Sequence, residues 1–530
     1  MFNHKILPLA GLAATVAALP HGQKALQWKP CPELNEQIAE LSAPFPITRF
    51  DCASLEVPLD YDHPGTSEMI QLDLFKVNAT KGPVLGSVLF NPGGPGGTGA
   101  ENLPLVSADL HLNIGGQFNL ISWDPRGTGN TIPFNCGTGD TTSSGNIARR
   151  YEPSYHTVPS SNVTQNFLDV GWEQSRQRAD TCYATNNKTG QFIGTSSVAL
   201  DMVSIIDALG EDGLLRYYGW SYGSALGDYF AALFPERVDR MLLDGNVNPY
   251  TWQLGTRPEL FEDVDKGFAA FIDECWKNRE DCALVTALNA VSKSDIWETM
   301  DAFIAATAKN TTTVAGYNAY IAVLGVIEGR LYYPMQWPKL AQLLADMLTG
   351  KVEDSPRSST GPTPKPYNHG PDAIDGIRCS DATFQVTDVE EYLPILAQQL
   401  NHSKGFGAFY NAVWPCASWK MSDKQQYRGD FKVKPRHPIL MVNGEYDPTT
   451  PISGAYNASS AFEGSVVLAH NGYGHGIFPS PSKCVAEKIQ RYFVHGDLPE
   501  EGIVCVTPNG DLPERLKGVS VVTAAFIHKD

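Results

Sequence analysis

Leu215-Arg216-Tyr217-Tyr218-Gly219-Trp220-Ser221-Tyr222-Gly223-Ser224-Ala225-Leu226-Gly227 reads as a short β-rich run, a Gly-x-Ser-x-Gly turn, and small residues opening a helix over 225–234. This layout holds a serine at the tip of a tight strand-to-helix turn. Glycine is needed at 219 and 223 because strand and helix pack too closely there for side chains, and the serine takes strained backbone angles. The plainer alternative is an ordinary glycine-rich loop between a strand and a helix. Context favours the first reading, because this match is preceded by a strand pattern and followed by helix-opening small residues.

Working outward, strand and helix patterns alternate. Residues 54–61 and 69–77 are β-type runs separated by the turn Asp62-His63-Pro64-Gly65. Residues 86–90 and 118–123 are short apolar strands, each ending in a glycine-rich loop. Residues 198–209 carry apolar side chains at helical spacing and lead into the elbow strand, and 238–243 is the next buried strand. The alternation predicts an α/β domain with a mostly parallel sheet. From about 246 to about 434 helical patterns dominate, at 262–276, 294–308 and 338–348, and a Pro/Gly/Ser-rich stretch at 354–372 reads as an exposed loop. Strand patterns resume at 438–442 and 465–469, followed by a helix at 484–494. The expected division is a leader at 1–18, a core at 19–245, a large helical lid at 246–434 between strands six and seven, and the rest of the core at 435–530.

A serine hydroxyl is a weak nucleophile until a base takes its proton, so Ser221 calls for a histidine oriented by a carboxylate. In elbow architectures the acid and then the base follow in chain order, each just past a strand. Asp447, in Asn443-Gly444-Glu445-Tyr446-Asp447-Pro448-Thr449-Thr450-Pro451, is the candidate acid, because Pro448 fixes the chain directly after it. Glu445 competes, and Asp447 could instead simply cap the following turn. His475, between Gly474 and Gly476, is the candidate base, whereas His470 still lies in strand pattern and reads as structural or as a rim residue. A tetrahedral intermediate also needs donors for its oxyanion. Asn91-Pro92-Gly93-Gly94-Pro95-Gly96-Gly97-Thr98-Gly99 follows the third strand, and the N–H groups of Gly94 and Tyr222 are expected to form that hole. A phosphate loop is the rival, but the lysine it needs is missing. Asp124 and Arg126, in Trp123-Asp124-Pro125-Arg126-Gly127-Thr128-Gly129, read as loop-organising residues.

Together, residues 91–99, 123–129 with Pro133 and Cys136 beyond, 219–223, 447–451 and 474–476 resemble the tripeptidyl-aminopeptidase-like branch of the α/β-hydrolases, in the prolyl aminopeptidase clan of secreted serine exopeptidases. The resemblance runs from about residue 50 to Cys505 and is weakest in the lid. Thr98 and Thr131 stand where the family pattern usually has serine. It implies an α/β-hydrolase fold and release of short peptides or amino acids from free N-termini. Such an enzyme must bind an ammonium group, and Glu259, Glu262 and Asp263, with Asp265, form an acidic cluster for it. A solvated helix face is the plainer reading of each acid. Trp252, Tyr332, Tyr333, Trp337 and Trp414 are expected either to line a substrate pocket or to form the lid's own core. A carboxylesterase or lipase-like activity on the same triad is the second reading, and an inactive hydrolase fold used for binding the third.

The formal net charge of −18 argues against nucleic acid or an anionic membrane as partner, since both need a basic face. His4 and Lys5 precede an apolar run at 6–19 with Val16-Ala17-Ala18 as a cleavage region, the pattern of a secretory signal peptide. Ten cysteines suit an oxidising compartment, and their neighbour pairing predicts Cys31–Cys52, Cys136–Cys182, Cys275–Cys282, Cys379–Cys416 and Cys484–Cys505. Sequons at Asn78, Asn162, Asn187, Asn310, Asn401 and Asn457 fit a secreted glycoprotein. With no Cys-x-x-Cys pair, no metal or cofactor is expected, and the partner is a peptide substrate acted on by a monomer.

Overall fold

Ten strands form one sheet: β1 Lys29–Pro30, β2 Asp51–Pro58, β3 Met69–Val77, β4 Ser87–Asn91, β5 Asn119–Trp123, β6 Leu215–Trp220, β7 Val238–Asp244, β8 Leu440–Tyr446, β9 Val466–Tyr473 and β10 Val504–Cys505. The computed structural model describes residues 26–43, 46–137, 170–309, 314–351, 367–403, 405–406 and 414–507. The lateral order is β1-β2-β3-β5-β4-β6-β7-β8-β9-β10. The β1/β2, β2/β3 and β3/β5 pairs are antiparallel, and every pair from β5/β4 to β9/β10 is parallel.

The parallel strands are apolar on both faces because helices cover both faces. All of β4 is buried; Leu89 faces one cluster while Val88 and Phe90 face the other. Helices Thr195–Leu209 and Tyr222–Leu233 contribute to the first cluster, and Gly99–Ile114 and Lys483–His495 to the second. Tyr217 and Tyr218 likewise divide between the two.

Between β7 and β8 the chain makes a long helical excursion. It was expected between the sixth and seventh strands; the count moves by one because β1, two residues paired with β2, has no alternating pattern to reveal it. The excursion does not pack as one unit. Val264–Lys277, Val314–Leu331 and Trp337–Leu348 bury Phe268, Phe271, Leu324, Ile327, Leu340 and Leu344 in a cluster of their own. Trp252, Ala373, Ile377, Cys379, Ala382, Cys416 and Trp419 instead join the cluster against the sheet. The rest of the Pro/Gly/Ser-rich stretch after 351 up to 366 lies outside the described residues, as do the leader and Asn162 and Asn310.

The five cysteine pairs expected from the sequence are the five that the structure brings into disulfides. Asn78, Asn187, Asn401 and Asn457 are exposed. Among the described residues no helix is long and apolar enough to cross a membrane.

Candidate active site

Ser221 sits between β6 and helix Tyr222–Leu233 with φ 59° and ψ −123°. A non-glycine residue there stores strain on the order of 1–3 kcal/mol, held in place by its surroundings. Those surroundings are visible: Ser221 N donates to Asp244 O at 2.9 Å, and Ser224 N and Oγ both donate to Ser221 O. The helix starts at Tyr222, earlier than the expected Ala225, because this turn bonding already begins it. A Cβ on Gly219 would lie 2.2 Å from Gly223 O, and one on Gly223 would lie 2.6 Å from Asn91 O. The close packing expected of both glycines is therefore present.

The loop after β4 presses on the same turn. A Cβ on Gly93 would lie 2.3 Å from Trp220 O and 2.9 Å from the Tyr222 nitrogen. The Gly93 N–H itself donates to Asn91 Oδ1 at 2.9 Å. Gly94 is thus carried on a segment that lies against the Ser221–Tyr222 peptide.

Asp447, at the end of the β8 loop, is fully buried. Its carboxylate accepts from Thr449 N, Thr450 N, Thr450 Oγ1 and Gly476 N, and lies 2.9 Å from His475 Nδ1. Turn capping and partnership with histidine, which the sequence posed as alternatives, coexist in one side chain. Burial alone would raise the Asp447 pKa; the charge and hydrogen bond of His475, with the Thr450 and Gly476 N–H groups, outweigh it and lower the pKa. Glu445 points elsewhere, into a cavity of about 530 Å³ that it lines with Lys266, Tyr446, Tyr456 and Tyr473 and that includes none of Ser221, Asp447 or His475.

His475 is held on three sides. Its ring stacks on Trp220 at 5.6 Å and meets the edge of Tyr332 at 5.0 Å, and its N–H donates to Tyr332 O. Its Nδ1 faces Asp447, which leaves Nε2 as the ring nitrogen for a reacting proton. His470 is completely buried, so it is no rim residue; its Nδ1 accepts from Gly472 N, and burial pushes its pKa down to about 4. Asp124 and Arg126 organise loops as expected. Asp124 accepts from Tyr367 Oη and Ala100 N, and Arg126 grips Asp201 with two nitrogens and also donates to the carbonyls of Pro58 and Leu59.

The acidic cluster is engaged within the protein. Glu259 accepts from Thr251 Oγ1, Glu262 from Ser453 Oγ, Asp263 from Ile452 N and Lys266 Nζ, and Asp265 from Ser403 Oγ. These acids tie chain segments together. Of the aromatic residues, Tyr332 touches His475, Trp337 stacks on Tyr473, and Trp252 packs on Tyr222. The Trp414 side chain is outside the described set.

Sequence reasoning missed Asp244 and Glu328. Asp244 ends β7; its backbone oxygen holds Ser221 N while its carboxylate accepts from Ile477 N and Tyr218 Oη. Burial raises its pKa to about 7. An acid ending a buried strand was the available signal. Glu328 is buried, bonded to Tyr332, and raised to about 8, first by burial and then by the charge of Asp447, with the Tyr332 bond opposing. Its signal was a lone acid after the apolar run Ala319-Tyr320-Ile321-Ala322-Val323-Leu324-Gly325-Val326-Ile327.

Two family models match the chain. Residues 86–310 match the family described as alpha/beta hydrolase fold, and residues 404–505 the one described as TAP-like protein. The chain is 25% identical over 514 residues to the tripeptidyl aminopeptidase of Streptomyces coelicolor, covering 93% of this chain and 88% of that protein. It is 26% identical over 506 residues to the serine protease Hip1 of Mycobacterium tuberculosis, with 92% of each chain covered. It is also 26% identical over 529 residues to a carboxylesterase B of Mycobacterium tuberculosis, with 94% of each covered. Strand order, family matches and relatives converge: the chain has the α/β-hydrolase fold and is an enzyme, a serine hydrolase similar to tripeptidyl aminopeptidases.

Proposed function

We propose that this serine hydrolase is a secreted exopeptidase that releases short peptides or amino acids from free N-termini. The observation carrying the proposal is the buried His475–Asp447 pair in the loops that follow β8 and β9, with Ser221 strained on the neighbouring elbow. Ser221 Oγ attacks the scissile carbonyl as its proton passes to His475 Nε2, and the Gly94 and Tyr222 N–H groups receive the oxyanion. Asp447 holds Nδ1–H and stabilises the imidazolium. The C–N bond then breaks, and the leaving amine takes the proton from His475. Water, deprotonated by His475, attacks the acyl-enzyme; the C–O bond to Ser221 breaks and the serine recovers its proton.

Glu328 replaces the acidic cluster as the proposed partner of the substrate amine. It lies one ring from His475, since Tyr332 contacts both. A buried carboxyl without a counter-charge stays protonated; an incoming ammonium would supply that charge and favour the ionised pair. Secretion is supported by the five disulfides, which suit an oxidising compartment.

Carboxylesterase activity is the second reading, supported by the relative of that name and by a Glu328 that is neutral without an ammonium partner. The test compares a free-N-terminal tripeptide chromogen, its N-acetylated form and a short acyl ester, with Ser221→Ala as control. Preference for the free amine supports the exopeptidase. Preference for the ester, or indifference to acetylation, overturns it, and activity surviving Ser221→Ala overturns the mechanism.

A further inference from the structure

The excursion reaches the elbow through a buried polar chain. Asp381 ends helix Gly370–Asp381 and is 1% exposed. Its Oδ1 accepts from Thr195 N at 2.7 Å, and its Oδ2 accepts from Thr195 Oγ1 and from Trp252 Nε1 at 2.9 Å. Thr195, fully buried, opens helix Thr195–Leu209 in the core, and Trp252 lies in Pro249–Leu254, the first helix of the excursion. Because the one Thr195 hydroxyl proton goes to Asp381, the 2.7 Å contact between Thr195 Oγ1 and Tyr222 Oη has Tyr222 donating. The Tyr222 ring also packs on Trp252, with centroids 5.1 Å apart.

Every hydrogen-bond partner of the Asp381 carboxylate is thus a donor, and a carboxylate accepts all three bonds without conflict. An amide there would turn an N–H toward at least one donor. Tyr222 is held at three points: hydroxyl on Thr195, ring on Trp252, and main chain in the elbow beside Gly93.

We infer that Asp381 is a positioning residue for catalysis, fixing through Thr195 the Tyr222 side chain and with it the direction of the Tyr222 main-chain N–H. This rests on the proposed role of that N–H at the oxyanion. A preorganised donor is worth a large factor in rate because it need not reorient as charge develops. The excursion therefore contributes to the chemical step from behind the elbow, with no contact to the reacting atoms.

The test uses the full-length enzyme with Tyr222→Phe, Thr195→Val, Thr195→Ser, Asp381→Asn and the double variant Tyr222→Phe/Asp381→Asn. Labelling of Ser221 by an organophosphonate probe separates the two levels of the argument. Failure of the parent to label overturns the proposed function; the inference is judged on a parent that labels. The expected results are a kcat loss of about tenfold in Tyr222→Phe, Thr195→Val and Asp381→Asn with KM within about twofold, recovery in Thr195→Ser, and a double variant no slower than the worse single. Tyr222→Phe removes only a hydroxyl, so it decides the matter should Asp381→Asn fail to fold. Parental kcat in Tyr222→Phe, or losses that multiply in the double variant, overturns the inference.

Discussion

The loops that close the parallel strands and the helical excursion between β7 and β8 follow different rules. In the loops, geometry dictates residue type: Gly219, Gly223 and Gly93 sit where a Cβ would strike backbone, and Asp447 sits where five donor groups converge. In the excursion, apolar faces dictate residue type, and the polar residues that matter stand out only by their burial. The proposed chemistry thus sits in turns with narrow tolerances, while the excursion, to which substrate choice is proposed to belong, is a packed helical surface that many sequences could build.

If this contrast holds, loop substitutions lower turnover of every substrate alike, and excursion substitutions away from the Asp381 segment change the ranking of substrates. The largest effect belongs to Asp447→Asn. It removes the charge that orients His475, and kcat is expected to fall by about 10³-fold or more for peptide and ester alike. A loss confined to one substrate class, measured by steady-state kinetics on both, would break the comparison from the loop side.

Next comes Glu328→Gln in the excursion. Removing the carboxylate that would face an ammonium is expected to raise KM for free-N-terminal peptides by about 10- to 100-fold while sparing the ester. Equal losses on both substrates would place Glu328 with the triad's supports and not with substrate choice.

The smallest effect tests a β9 residue with no proposed part in catalysis. Burial holds His470 at about 4, below its ordinary 6.5, so the folded state resists its protonation while the unfolded state accepts it. The sign follows: stability is complete above 6.5 and declines as pH falls toward about 4, by at most about 3 kcal/mol from this group. His470→Gln is expected to flatten melting temperature against pH across that window while leaving kcat near parental. An unchanged slope would show that other groups govern acid sensitivity.

The same contrast explains what could be read from the sequence. The sheet was legible because its strands are apolar or alternating runs bounded by turn residues; the antiparallel β3 begins and ends where its pattern does, and the parallel β6 leads directly into the elbow. Ser221, Asp447 and His475 were legible as candidates because each follows a strand with glycine or proline within two residues, and the structure pairs Asp447 with His475. The partners of the acidic cluster were not legible, because Ser453, Ser403 and Ile452 reach it from distant sequence and Thr251 from one helix earlier. Glu328, Asp244 and Asp381 were missed because a single acid in an apolar stretch acquires meaning only from what folds against it. For Asp381 those partners are Thr195 and Trp252, both far before it in the chain.

Both ends of the excursion attach to adjacent strands, since β7 pairs with β8 through Leu242 with Leu440 and Asp244 with Val442. Two disulfides lie within the excursion and three within the core, with none joining the two. For evolution and for engineering, the stretch is a cassette whose entry and exit sit side by side. Its outer helices can be exchanged without redirecting a strand or re-pairing a cysteine, provided the segment carrying Asp381 is retained. A graft that keeps Asp381, Trp252, the Cys379–Cys416 bridge and the Tyr332 contacts to His475 but replaces the rest of Val264–Leu348 would carry a new appetite on an unchanged engine.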